Sequence, residues 1–154
     1  PYDLEISRGA VEHPSFPLRA RPDNGILEGR VSKTADMFFS VPLEFTGLNP
    51  NRPAGIWREG AGISFTGVFE GRAWPRLDVG KAGRFVAGQL IGADNTNVAI
   101  EVVAWTADRL KLDINNPTDK PVKTTVRSAK LTGLKSFEKT VELPAGSSAL
   151  VEAD

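Results

Sequence analysis

From Leu112 the chain alternates in step with a pleated strand: Leu112 and Ile114 take one parity, Asp113 and Asn115 the other. Val122, Thr124 and Val126 repeat the pattern against Lys123, Thr125 and Arg127, and their β-branched side chains suit a half-buried sheet. Between the two runs lies "NNPTDKP" at 115–121. Pro117 and Pro121 remove two backbone donors there, while Asn116 and Asp119 can bond their own backbone in a turn. Turn chemistry accounts for every residue of the stretch, so it reads as architecture, with a ligand-contacting loop as the minor alternative.

The same pattern predicts strands at 4–7, 26–32, 37–45, 63–70, 84–91, 98–106, 109–115, 122–128, 137–143 and 149–152. Turn clusters separate them: "RPDNG" at 21–25, "NPNRPAG" at 49–55, "GADNTN" at 92–97 and "LPAGSS" at 143–148. Fifteen glycines and eleven prolines leave no uninterrupted amphipathic stretch for a long helix. Residues 48–62 read as a long loop, a common place for function on a β scaffold. "VAIEVVAW" at 98–105 is apolar on both parities apart from Glu101, which predicts a central strand with Trp105 buried at its end. The expected fold is all-β, an antiparallel β-sandwich of Ig-like or jelly-roll-like type with little or no helix, spanning 1–154 as a single domain.

Charge narrows the partners. Nineteen basic and nineteen acidic residues cancel, which gives no general attraction to nucleic acid or anionic lipid. The middle is the exception: residues 50–90 carry six Lys or Arg against three Asp or Glu. Without cysteine there is no disulfide, thiolate nucleophile or Cys-ligated zinc. No apolar run is long enough to span a bilayer as a helix. The chain starts at Pro1 rather than Met, and the expectation is a segment of a larger protein.

Catalytic signals are sparse. His13 is the only histidine and sits beside Pro14, a poor setting for a nucleophile relay, so a surface or packing role is favoured. "GISFTG" at 62–67 misspaces its serine for a nucleophile elbow, and "GKAGR" at 80–84 lacks the pattern of a phosphate loop. Glu59, Glu70, Asp78 and Asp94 are the candidates for an acid–base pair, against the commoner role of acids on a solvated face.

The positive signal is the basic middle, where Arg52, Arg58, Arg72, Arg76 and Arg84 interleave with Trp57, Phe65, Phe69, Trp74 and Phe85. Guanidinium groups bond carboxylates or sulfates in pairs, and exposed indoles accept the C–H face of a sugar ring. The expected ligand-binding residues are Trp57, Arg58, Arg72, Trp74, Arg76 and Arg52, and the expected ligand is polysaccharide, preferentially anionic. The competing interpretation has Trp57 and Trp74 closing the core, with arginines stacked over them or paired with Glu59, Glu70 and Asp78. No metal or other cofactor is expected. Asp94, Asn95 and Asn97 are weak calcium candidates that suit a plain turn better, since only one of them is a carboxylate.

"LDINNPTDKPVKTTVRS" followed by "KTVELPAGSSALVE" resembles the closing strands of Ig-like or fibronectin-like accessory sandwiches in bacterial carbohydrate-active enzymes. The resemblance covers about the last fifty residues, with "NPTDKPV" and "LPAGSS" as strand-joining turns; "GLNPNRPAGIWR" and "GVFEGRAW" match no motif of that family. It implies a noncatalytic accessory module of a secreted polysaccharide lyase or glycoside hydrolase, extracellular or periplasmic, beside a catalytic domain of the same polypeptide. No catalytic residue carries over. The alternatives are a structural domain that packs on the catalytic domain and, less favoured, a small β-fold glycan-active enzyme. Neither nucleic acid nor a membrane is an expected partner.

Overall fold

Short runs of β-branched and aromatic residues, punctuated by glycine and proline, give fifteen strands and no helix among the described residues. The computed structural model describes residues 2–12, 17–36 and 40–153. His13 and the first three residues of the strand expected at 37–45 lie outside them. The fold is all-β, with antiparallel sheets packed on one another as in a β-sandwich. The chain divides into two compact units, Pro1–Pro50 with Ala54–Leu90, and Asn51–Pro53 with Ile91–Asp154.

Unit 1 contains β1 (Asp3–Arg8), β2 (Ala10–Glu12), β3 (Leu18–Arg21), β4 (Ile26–Lys33), β5 (Ser40–Glu44), β6 (Ala54–Arg58), β7 (Gly62–Thr66), β8 (Arg76–Asp78) and β9 (Gly83–Gly88). They form a five-stranded sheet, β1-β4-β9-β6-β7, and a four-stranded one, β2-β3-β5-β8. All pairs are antiparallel except β3 with β5, which run parallel through Leu18↔Leu43 and Arg19↔Glu44. Leu27, Val31, Ile56, Phe85 and Ala87 from the larger sheet join Leu18, Val41, Leu43 and Leu77 from the smaller in one core. Burying such side chains stabilises by about 1.5–3 kcal/mol each.

The long loop expected at 48–62 is not a loop: β6 runs through it, buried at all five positions and paired with β7 and β9. "AGIWR" hid a strand covered on both faces, where alternation disappears and only length and neighbours remain to be read. Glycine is needed where strands crowd. A Cβ on Gly55 would lie 2.8 Å from the Phe65 ring opposite it, and one on Gly88 would lie 2.0 Å from the Gly25 carbonyl oxygen.

Unit 2 contains β10 (Ile91–Ala93), β11 (Ala99–Trp105), β12 (Leu110–Asn115), β13 (Val122–Ser128), β14 (Glu138–Leu143) and β15 (Ser148–Glu152), in the sheets β10-β13-β14 and β11-β12-β15. The two alternating runs at 112–128 do not pair with each other. They lie in different sheets, and both "NNPTDKP" and "LPAGSS" carry the chain from one sheet to the other. Asn116 joins these two connections. Its side chain is fully buried; Nδ2 donates to the carbonyls of Lys120, Leu143 and Pro144, and Oδ1 accepts from the Thr118 amide and hydroxyl.

Trp105 is buried as expected, its indole N–H donating to the Lys135 carbonyl at 2.7 Å. Its strand is not central, however: among the described residues β11 ends its sheet, with β12 as its strand neighbour. A register shift between Val102 and Ala104 leaves Val103 exposed, so an apolar run on both parities reflects a bulged edge here rather than two covered faces.

Candidate ligand-binding site

Half of the residues expected to touch ligand are built into the scaffold. Trp57 sits on β6 between Ile63 of β7 and Val86 of β9, only 4 % exposed, with the Arg84 guanidinium 5.7 Å from its ring centroid. It has no open face to offer a sugar, and the packing interpretation holds for it. Arg58, the next residue, is buried and donates to the carbonyl oxygens of Asp78, Lys81 and Arg84. Its fork thereby fastens the turn between β8 and β9 to β6. Burial lowers its pKa, while the negative charges of Asp78 and Glu59 act in the opposite direction.

Arg52 makes the same kind of clasp in unit 2. It is buried and donates to the carbonyls of Ala93 and Asn95, and burial lowers its pKa. Arg52 and Trp57 are therefore corrected from ligand-binding to structural residues. The Arg52 and Arg58 guanidinium groups both donate to loop carbonyls in part-buried positions and so tie those loops to the neighbouring strands.

Trp74 and Arg76 are differently placed. β7 ends one sheet of unit 1 and β8 ends the other, and between them lies a cleft of about 340 Å³ lined by Ser64, Phe65, Thr66, Trp74, Pro75 and Arg76. Trp74 is 41 % exposed, and its indole N–H donates to Glu44 Oε2 at 3.2 Å, which fixes the ring's orientation. Glu44 in turn lies 3.9 Å from Arg19, which also approaches Glu12. Arg76 is exposed, with Nε on the Ser40 hydroxyl at 2.8 Å and Nη2 on the Ser40 carbonyl at 3.1 Å. These bonds leave Nη1 without an acceptor among the described residues.

A second cleft of about 210 Å³ shares Ser64 and Arg76 with the first and continues past Ile56, Arg58, Ala61, Gly62 and Ile63 to Asp78 and Lys81. Lys81 was missed in the sequence, where "GKAGR" was weighed only as a phosphate loop. Its signal was its place in the short turn between two strands, flanked by Gly80 and Gly83. Ser40 and Glu44, which hold Arg76 and Trp74, could not be found without the pairing of β5 and β8.

Arg72 lies in a tight turn apart from these lining residues. Phe69 and Arg72 exchange backbone hydrogen bonds across Glu70 and Gly71, at φ 51° and 74°. Both central residues are left-handed, as a type I′ turn requires. Phe69 is 70 % exposed at its edge, while Phe65 lies against Gly55 and Phe85 is in the core.

The acid–base candidates have local structural roles. Glu59 Oε1 accepts the Arg84 amide and Asp78 Oδ1 the Gly80 amide, while Glu70 occupies the strained turn. Asp94 belongs to unit 2 and pairs with Arg127 at 2.6 Å. The oxygens weighed for calcium are engaged similarly: Asn95 Oδ1 accepts from the Asn97 amide in a turn, and the Asn95 carbonyl takes Arg52. Among the described residues, no group of three His, Cys, Asp or Glu could hold a metal ion. Comparison with protein-family models, with curated proteins and with solved structures found no match to this chain.

Proposed function

We propose that this chain is a noncatalytic accessory module that binds polysaccharide, attached to a secreted polysaccharide-degrading enzyme and working outside the cytoplasm. The observation that carries this reading is Trp74: a half-exposed indole, oriented by Glu44, on the wall of an open cleft between two strand edges. An indole face held in this way accepts the C–H face of a pyranose without first losing side-chain freedom. Among the described residues β7 ends its sheet, and a strand edge can offer backbone groups to ring hydroxyls.

Affinity electrophoresis through gels containing soluble polysaccharides tests the proposal. The chain is expected to be retarded, and Trp74→Ala to remove the retardation while keeping the unfolding midpoint. Retardation unchanged by Trp74→Ala, or none in any gel, overturns the assignment. Exposed Phe69, Val103 and Leu150 favour a second reading, a domain that packs on a neighbouring catalytic domain. Its mark would be tight association with that domain, weakened by Val103→Ser or Leu150→Ser and untouched by Trp74→Ala.

A further inference from the structure

The arginines that first suggested an acidic ligand are largely spent: Arg52 and Arg58 clasp carbonyls and Arg84 covers Trp57. An anion site must be argued from other cations. The second cleft supplies them. Arg76 and Lys81 are exposed on its wall, and Lys81 makes no ion pair among the described residues. Arg58 lines the same cleft, its buried charge poorly screened by water and its Nε without a hydrogen-bond partner among the described residues. One acid, Asp78, faces the same space, with one carboxylate oxygen engaged by the Gly80 amide. The exposed Arg76 and Lys81 together with the buried Arg58 outnumber Asp78 and Glu59, the two acids whose charges act on Arg58, and leave the cleft net positive. Ser64 adds a hydroxyl.

The two clefts share Ser64 and Arg76 and are lined by successive residues of β7, so they adjoin along that strand. Trp74 and Arg76 are two residues apart, a separation of at most about 7 Å along the chain, comparable with one sugar unit. From this arrangement we infer that the second cleft is an anion subsite: it takes the carboxylate or sulfate of the sugar next to the one stacked on Trp74. The inference rests on the glycan-binding reading above and adds the class of glycan, a uronate or sulfated polysaccharide. Arg76 sits at the junction and can reach either ring through Nη1.

The test runs the intact chain through gels containing dextran, polygalacturonate or dextran sulfate, at about 50 and 200 mM salt. Wild type is expected to be retarded most by one of the two anionic polymers, and the better of them identifies the group as carboxylate or sulfate. The double variant Arg76→Gln, Lys81→Gln should lower that affinity by about tenfold, the size of one lost charge-assisted contact. Its salt dependence should flatten as well, and Lys81→Gln alone, which lies outside the first cleft, should weaken anionic retardation while leaving retardation by dextran unchanged. Equal retardation by dextran and the anionic polymers overturns the subsite while leaving glycan binding intact. Anionic retardation that the double variant does not change overturns the placement of the subsite. Absence of retardation in every gel overturns both readings.

Discussion

Replacing Asn116 should unfold unit 2 more readily than any other single polar change in it. The Asn116→Ala variant removes a donor shared by three carbonyls and an acceptor used twice by Thr118. The Leu143 carbonyl lies in a buried bond, and the Thr118 amide is partly buried, so water cannot replace both partners. Each buried group left unpaired costs about 1–3 kcal/mol, which gives roughly 2–6 kcal/mol for the two. Against the few kcal/mol to about 10 kcal/mol expected for a unit of this size, the loss is severe.

The Asn116→Asp variant sharpens the argument. It keeps the shape and the acceptor but turns a carboxylate oxygen towards three carbonyl oxygens. The folded state then favours the protonated acid, so its pKa rises above the unfolded value near 4. A folded state that holds the extra proton is stabilised below the unfolded pKa and loses that stability as pH rises through the folded one. Asn116→Asp should therefore lie closer to wild type at pH 4 than at pH 7, each compared at the same pH. Urea unfolding followed through the Trp105 indole N–H resonance reports unit 2 directly, because that proton is bonded to the Lys135 carbonyl. A midpoint for Asn116→Ala within the equivalent of about 0.5 kcal/mol of wild type, or an Asn116→Asp penalty independent of pH, would refute the reasoning.

Two further outcomes separate backbone crowding from backbone conformation, and charge from burial. Gly25 and Gly88 both have positive φ, but only a Cβ at Gly88 would strike backbone, so Gly88→Ala should cost unit 1 about 3 kcal/mol or more and Gly25→Ala about 1–2 kcal/mol in urea unfolding; equal costs would sink this account. Glu12 is held below the usual glutamate pKa by its hydrogen bond from Arg21, then by the charges of Arg21 and Arg19. Carbon chemical shifts of its carboxyl should titrate at a lower pH than in Arg21→Gln, its stabilising contribution being present above the ordinary glutamate value and lost as pH falls through the lowered one. Coincident titrations in the two proteins would show that the pair does not act.

The all-β class was legible because turn residues and alternation recur at short intervals, and β13 (Val122–Ser128) falls at the expected residues. Strands flush with the interior were harder. β6 lost its alternation to burial on both faces, and β8 is only three residues long beside a proline. Pairing is a long-range property, so nothing local in 112–128 reveals that its two strands belong to different sheets. Trp74 and Arg76 were legible as candidates from composition alone, whereas Lys81 needed the cleft to give its charge a context.

The carbonyl clasps of Arg52 and Arg58 share a physical cause that bears on how the site should be probed. A guanidinium fork suits two parallel acceptors, whether they belong to a ligand carboxylate or to successive carbonyls of a turn. Composition cannot separate these uses, but the neighbours can. Arg58 ends a strand of small and apolar residues, and Arg52 lies between Pro50 and Pro53 in a chain segment bonded to the 93–96 loop. Arg76 shares its parity with Asp78 and with Trp74 just before the strand, at the edge of its sheet, where an outward side chain meets solvent. Loss of glycan binding after a change at Arg58 would thus report a loosened β8–β9 turn as readily as a lost ligand contact. The exposed pair Arg76 and Lys81 separates the two, because removing their charges leaves the three carbonyl bonds of Arg58 in place.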